Sequence, residues 1–240
     1  MALVKVGVTA PQFTTPIDDL DDFAKRAQHI GLDGIFCFDH LWPTDRPGGP
    51  ALSGLAILGY LARVTSDIYL GTLVSRIGLL PDEVLVAELV NLANLAPARV
   101  LCGLGLGDRA SEPERVHLGL DRFPLADRLA SLETCARRLI DHDIEVWIGG
   151  SSRSVRDISI RLGCSLNLWS PSLDELDTQN SGQDLTWAGP ISGPGKSDAH
   201  HCARELVDLA NRGFSWAVWA WPNSLELVDQ TLKLARHAIY

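Results

Sequence analysis

Short runs rich in β-branched and aromatic residues alternate along the chain with longer stretches whose apolar positions recur every three or four residues. The short runs are LVKVGVT (3–9), GIFCF (34–38), IYLGTLV (68–74), ARVLCG (98–103), IEVWIG (144–149), CSLNLW (164–169), DLTWAG (184–189) and SWAVWAW (215–221). Several are apolar nearly throughout, as strands covered on both faces of a parallel sheet must be. Between them, Leu20, Phe23, Ala24, Ala27 and Ile30 form a helical stripe after Asp18, and Gly31 stands where a left-handed C′ residue is wanted. Leu125, Leu129, Leu132, Ala136 and Leu139 form another. Ser152 is expected to cap a helix carrying Val155, Ile158 and Leu162 that ends at Gly163, and Ser197 one carrying Ala203, Leu206 and Ala210 that ends before Gly213. A last helix is predicted from near Ser224, burying Leu225, Val228, Leu232 and Ala235. The link 171–183, PSLDELDTQNSGQ, has room for about one or two helical turns, so a degraded helix is expected there. Eight strand and helix units predict an α/β fold, a compact (β/α)8 TIM barrel, with a doubly wound open sheet as the alternative.

Composition narrows this picture. No composition break or low-complexity tract divides residues 1–240, which are therefore expected to form one domain. Thirty acidic residues against 21 basic ones give a net charge of −9 without a basic stripe, which disfavours nucleic acid as a partner. Cys37, Cys102, Cys135, Cys164 and Cys202 include no CxxC pair, and reduced core thiols are expected. MALVKVGVTAPQ is too short an apolar run for a signal peptide, and no segment has the length of a bilayer span. A cytoplasmic protein with no membrane partner is expected.

Active sites of (β/α)8 barrels are built at the carboxyl ends of the strands. Those ends carry Asp39, His40 and Trp42 after strand two, Val74, Ser75 and Arg76 after strand three, Asp108 beyond strand four, and Gly149 to Arg153 after strand five. Asn167, Trp169 and Ser170 follow on strand six, and Trp219 and Trp221 on strand eight. Each has a plainer reading as a cap, a turn or a cover for the rim. GLGLGD (103–108) is not a dinucleotide fingerprint, because its glycines do not follow the GxGxxG spacing. His117 lies near Glu112 and Glu114, yet strand one lacks an HxH pair, so no metal site is expected. His200 and His201 read as solvated helix residues.

GIFCFDHLWP, IYLGTLVSRIGLLPDEVLVAELVNLANLAPARVLCGLGLGD and EVWIGGSSRSVRDISIRLGCSLNLWSP, in this order and at barrel spacing, resemble the bacterial luciferase-like monooxygenase superfamily, in particular its branch using flavin or the deazaflavin coenzyme F420. The resemblance implies a flat ring bound in the barrel mouth, backed by a bulge after strand three that often holds a non-prolyl cis peptide; Leu73 and Val74 occupy the matching positions. It implies a coenzyme phosphate near Gly149, Gly150, Ser151 and Ser152, where a helix N-terminus suits an anion, with Arg153 adding charge. It makes Asp39 and His40 a pair that touches the ring and moves a proton, and Asp108 a candidate acid. Trp42, Trp169 and Trp219 are candidates for the substrate pocket. F420 is the preferred coenzyme and FMN the alternative.

The implied activity is hydride transfer to a small organic substrate, or its oxygenation. Relatives of this kind carry a longer insertion before strand five, where residues 108–143 do the whole job here, so a more open mouth is expected. A relative that has lost catalysis with its rim is the rival reading, and a hydrolase on the same fold a third. A homodimer is implied, and the stripe from Leu85 to Leu95 would serve either a partner or the barrel itself.

Overall fold

Eight parallel strands hydrogen-bond in chain order and then back to the first, closing a barrel. The structure, a computed structural model, describes residues 4–13, 18–43, 46–171, 182–191, 198–220 and 225–238. The strands are β1 (Lys5–Thr9), β2 (Gly34–Cys37), β3 (Tyr69–Arg76), β4 (Val100–Gly105), β5 (Glu145–Gly149), β6 (Ser165–Trp169), β7 (Leu185–Pro190) and β8 (Phe214–Ala220). Around them lie α1 (Asp18–His29), α2 (Gly54–Val64), α3 (Asp82–Leu95), the short α4 (Glu112–His117), α5 (Leu125–Asp141), α6 (Arg153–Leu162), α7 (Ala199–Asn211) and α8 (Leu225–Ala238). The closed ring meets the barrel expectation and removes the open sheet. Among the described residues, no helix is long and apolar enough to cross a membrane.

Period-two alternation divides the apolar residues into two cores. Ile35, Cys37, Cys102, Ile148, Ala217 and Trp219 belong to the layer between strands and helices. Phe36, Leu73, Leu101, Trp147, Trp216 and Val218 point inward and fill the barrel. Phe36 stacks on Trp147 with ring centroids 5.2 Å apart and meets Trp216 edge-on at 5.7 Å. Glycines make room for it. A Cβ on Gly7, Gly34 or Gly71 would stand 2.6, 2.7 or 2.5 Å from the Phe36 ring. At the amino end the Lys5 ammonium lies 5.0 Å from the Tyr69 ring and 5.3 Å from that of Trp216, closing the plug.

One irregularity shapes the opposite end. Thr72 pairs with Cys102 but Ser75 with Leu104, so β3 spends three residues where β4 advances two. The Leu73–Val74 peptide within this bulge is cis. The ladder then resumes, which carries β3 to Arg76, past the Val74 end read from the sequence.

Local expectations hold with exceptions. Leu20, Phe23, Ala24 and Ala27 are buried on α1. Ser152 caps α6 by accepting from the Val155 N–H at 3.4 Å, and Gly163 ends that helix with φ 67°. Ahead of α7 the cap is Asp198, which accepts from the His201 N–H at 2.7 Å. The expected cap Ser197, together with Ser224, Trp221 and nearly all of the link 171–183, lies outside the described residues. Leu125, read as part of a buried stripe, is 54% exposed at the first turn of α5. All five cysteines are buried and outside any disulfide, as expected of core thiols. Arg99 donates to the Thr65 hydroxyl at 3.1 Å and the Ile68 carbonyl at 3.0 Å, tying the start of β4 to the end of α2.

Two glycines should respond in opposite directions to the same change. Gly71→Ala places a methyl 2.5 Å from Phe36 and 2.9 Å from the Leu101 carbonyl, and should destabilise by about 1–3 kcal/mol. Gly59→Ala, inside α2 with nothing within 4 Å, should stabilise by about 0.5–1 kcal/mol. Urea midpoints measure both.

Glu133 on α5 receives Arg161 of α6 at 2.5 Å and Arg137 of its own helix at 2.7 Å, and these guanidiniums pull its pKa down to about 2. Because the folded value lies below the unfolded one, this stabilisation is complete above the ordinary carboxylate range and is lost as pH falls through about 2. Glu133→Gln should therefore lower the Tm at pH 7 by the equivalent of ~0.5–1 kcal/mol, and the difference should shrink to a small fraction of that at pH 2, where the folded carboxylate is about half protonated.

Candidate functional site

A cavity of about 590 Å³ opens at the carboxyl ends of the strands. Asp39, His40, Leu73, Val74, Asp108, Gly149, Gly150, Ser151, Ser152 and Trp169 all line it, although they come from five different strand ends. Residues after β2 and residues after β5 thus share one space, as the sequence reading requires.

The bulge of β3 forms its inner wall. Val74 leans over Gly103, Gly105 and Gly149, where an added Cβ would come within 2.9, 2.5 and 3.0 Å of its methyl groups. The Thr72 carbonyl would be 2.2 Å from a Cβ at Gly103. The glycines of GLGLG therefore serve a close approach between strands.

Charge is concentrated on the opposite side, where Arg76 holds two acids. Its backbone N–H and Nε donate to the Asp39 carboxylate at 2.5 and 2.7 Å, and its Nη2 lies 2.7 Å from Glu114 Oε2. Glu114 is fully buried on α4. It also accepts the Leu41 N–H and receives His40 Nδ1 at 3.1 Å. Burial alone would raise the Glu114 pKa, but the Leu41 N–H, Arg76 and His40 together bring it below the usual carboxylate value. Asp39 moves the other way: burial raises its pKa, and Arg76 only partly offsets the effect. An ionised Glu114 can only accept, so the Nδ1 of His40 carries a proton and Nε2 is left as its second nitrogen. Gln12 steadies the same loop by donating to the His40 carbonyl at 2.9 Å.

Several sequence candidates lie elsewhere or act differently. Trp42 is buried against His117, ring centroids 4.8 Å apart, and fastens α4 to the loop after β2 without lining the cavity. Trp219 faces outward on β8, because Trp216 and Val218 take the inward positions, and is fully buried under the helices. Arg153 is 95% exposed beside Asp157 at 4.0 Å, so its side chain adds no charge to the cavity. Asp108 lines the cavity, but one carboxylate oxygen accepts the Ser111 N–H at 2.9 Å, making it also a local cap. The role of Glu114 was missed. The sequence places it beside His117, where no metal site is expected, and its pairing with His40 spans 74 positions, which no local pattern signals. Among the described residues, no group of three or more potential ligand side chains is placed to hold a metal ion.

A family model described as luciferase-like monooxygenase matches residues 1–139. The F420-dependent glucose-6-phosphate dehydrogenase of Microbacterium testaceum is 31% identical over 150 residues, 60% of this chain and 43% of that enzyme. The chain thus spans under half the length of that relative in the matched part. Among solved structures, an F420-dependent secondary alcohol dehydrogenase superposes with a TM-score of 0.78 at 12% identity, covering 100% of both chains. A riboflavin lyase with modified FMN gives 0.73 at 11% identity, covering 99% of this chain and 92% of the other. At such identities these two likenesses concern the fold alone.

Removing the Glu114 carboxylate leaves the Arg76 guanidinium without one of its two acids and His40 without its Nδ1 partner. Glu114→Ala should cost about 3–5 kcal/mol in chemical denaturation, and Glu114→Gln, which keeps an acceptor for Leu41, clearly less.

Proposed function

The chain belongs to the luciferase-like monooxygenase family, and from that premise we propose that it is an oxidoreductase that binds coenzyme F420 in the barrel mouth and exchanges hydride with a small organic substrate. The observation that carries this reading is the single cavity in which His40, the Leu73–Val74 wall and the Gly149–Ser152 turn meet. F420 is preferred over FMN because the curated relative of M. testaceum is F420-dependent by name.

The residues fit such a coenzyme. A flat ring needs an apolar backing, which Leu73 and Val74 supply; Gly103, Gly105 and Gly149 admit the Val74 side chain and so set that wall, and the cavity of about 590 Å³ leaves room in front of it. An acidic tail needs a seat for an anion. Ser151 and Ser152 lead into the ten-residue helix α6, whose first-turn N–H groups and positive dipole end suit one. Ser152 uses its hydroxyl to cap Val155, so Ser151 and the backbone are the groups left for a phosphate. The coenzyme, when bound, supplies the two-electron hydride chemistry that side chains lack.

The protein contributes orientation and a proton path. With Nδ1 held by Glu114, His40 uses Nε2 to take the proton of a substrate hydroxyl or return it to a carbonyl. Asp39 and Arg76 fix the loop carrying His40, and Glu114 fixes its ring. The same reading includes a homodimer through α2 and α3, whose Tyr60, Val84 and Leu95 are exposed, and a cytoplasmic setting suited to five buried cysteines outside any disulfide.

Titration of the purified protein with F420 and with FMN, followed by coenzyme fluorescence, should give saturable micromolar binding to F420 and weaker binding to FMN. His40→Ala should bind F420 within about threefold of the parent and lose at least 100-fold in turnover. Binding of neither coenzyme would remove the reading. A fully active His40→Ala would remove His40 from it.

A further inference from the structure

Phe38 follows β2 and Trp169 ends β6, strands that are four places apart in the ring of eight, yet their rings meet edge-on at 5.9 Å. The contact therefore crosses the mouth. Phe13 extends it, stacked on Phe38 at 6.2 Å with an interplanar angle of 11°. All three rings line the cavity, and Trp169 is 54% exposed, a large aromatic surface presented to whatever enters. On the same side the cavity offers Asp39 and Asp108 as carboxylates, with Glu114 directly behind Arg76 and His40. Arg76 is the one guanidinium among the described lining residues, and both of its acid contacts are at 2.7 Å. Among the described lining residues no uncommitted cation stands ready for a phosphate dianion, which would leave water for a region of aromatic rings and acids, a costly transfer.

We propose that this end of the cavity takes an uncharged alcohol or carbonyl compound with an apolar or aromatic body, in contrast to the sugar phosphate named for the relative of M. testaceum. The inference rests on the reading of the site as a coenzyme-dependent oxidoreductase. It divides the cavity by chemistry: an anion seat at the start of α6, and a neutral, ring-lined subsite between His40, Phe38 and Trp169.

The test uses binding to the coenzyme-free protein as well as turnover. 1-Phenylethanol, cyclohexanol, glucose and glucose 6-phosphate are each titrated against the intrinsic tryptophan emission, with Trp169→Phe identifying the reporter. Saturable quenching by the two apolar alcohols and none by glucose 6-phosphate is expected. Trp169→Lys should weaken the alcohols at least about tenfold, as loss of a large apolar contact predicts, while Trp169→Phe stays within about threefold. With F420 present, the alcohols should bleach the oxidised coenzyme and glucose 6-phosphate should not. Saturable binding or turnover of glucose 6-phosphate, or indifference of alcohol binding to Trp169→Lys, overturns the inference. Failure of F420 to bind, with alcohol binding intact, overturns the oxidoreductase reading and leaves the neutral subsite standing.

Discussion

The packing of Phe36 against Trp147 and Trp216 inside the ring is the constraint on which the rest depends. Three aromatic side chains occupy a space that eight strands enclose, and they fit because three strands contribute a glycine at the level of the phenyl ring. A barrel interior filled to native density cannot also hold a ligand. The plug therefore forces any binding site upward, onto the carboxyl ends of the strands. There the bulge of β3 thickens the wall with Leu73 and Val74, and a second set of glycines, on β4 and β5, makes room for the Val74 side chain. Two glycine sets serve two purposes: one admits the Phe36 ring, the other the Val74 side chain.

The charged cluster above this floor is built on opposite terms. Arg76, Asp39 and Glu114 are largely buried, and such groups remain ionised only when each finds a partner. Arg76 sits between two acids, and Glu114 between Arg76 and His40. The short helix α4 exists in this position because Trp42 packs on His117 and Leu41 donates to Glu114. The loop after β2 and the segment after β4 thus hold one another, and the histidine ring is fixed by a residue that touches nothing in the cavity.

The barrel was legible because its signals are local and repeated. Apolar runs of strand length recur eight times, with stripes of helical period between them and glycines such as Gly31, Gly163 and Gly213 after helices, and each restates the same architecture. The positions Asp39, His40, Leu73, Val74 and Gly149 to Ser152 were legible as strand ends, which a closed barrel gathers on one rim. Trp42 and Trp219 were read as pocket walls for the same reason and lie elsewhere. One is drawn under α4 by His117, the other is turned outward by the alternation of β8. Arg153 begins a helix, as expected, but its side chain follows the helix surface toward Asp157 and solvent.

By itself the sequence determined the order and type of the elements and the strand ends on which chemistry would be found, because periodicity and punctuation act over a few residues at a time. Only the tertiary structure decided that the ring closes, that Glu114 holds His40, that Arg76 lies between Asp39 and Glu114 and that Phe38 meets Trp169 across the mouth. These contacts join residues far apart in the chain, and the burial that makes their charges and rings matter exists only once the barrel has closed.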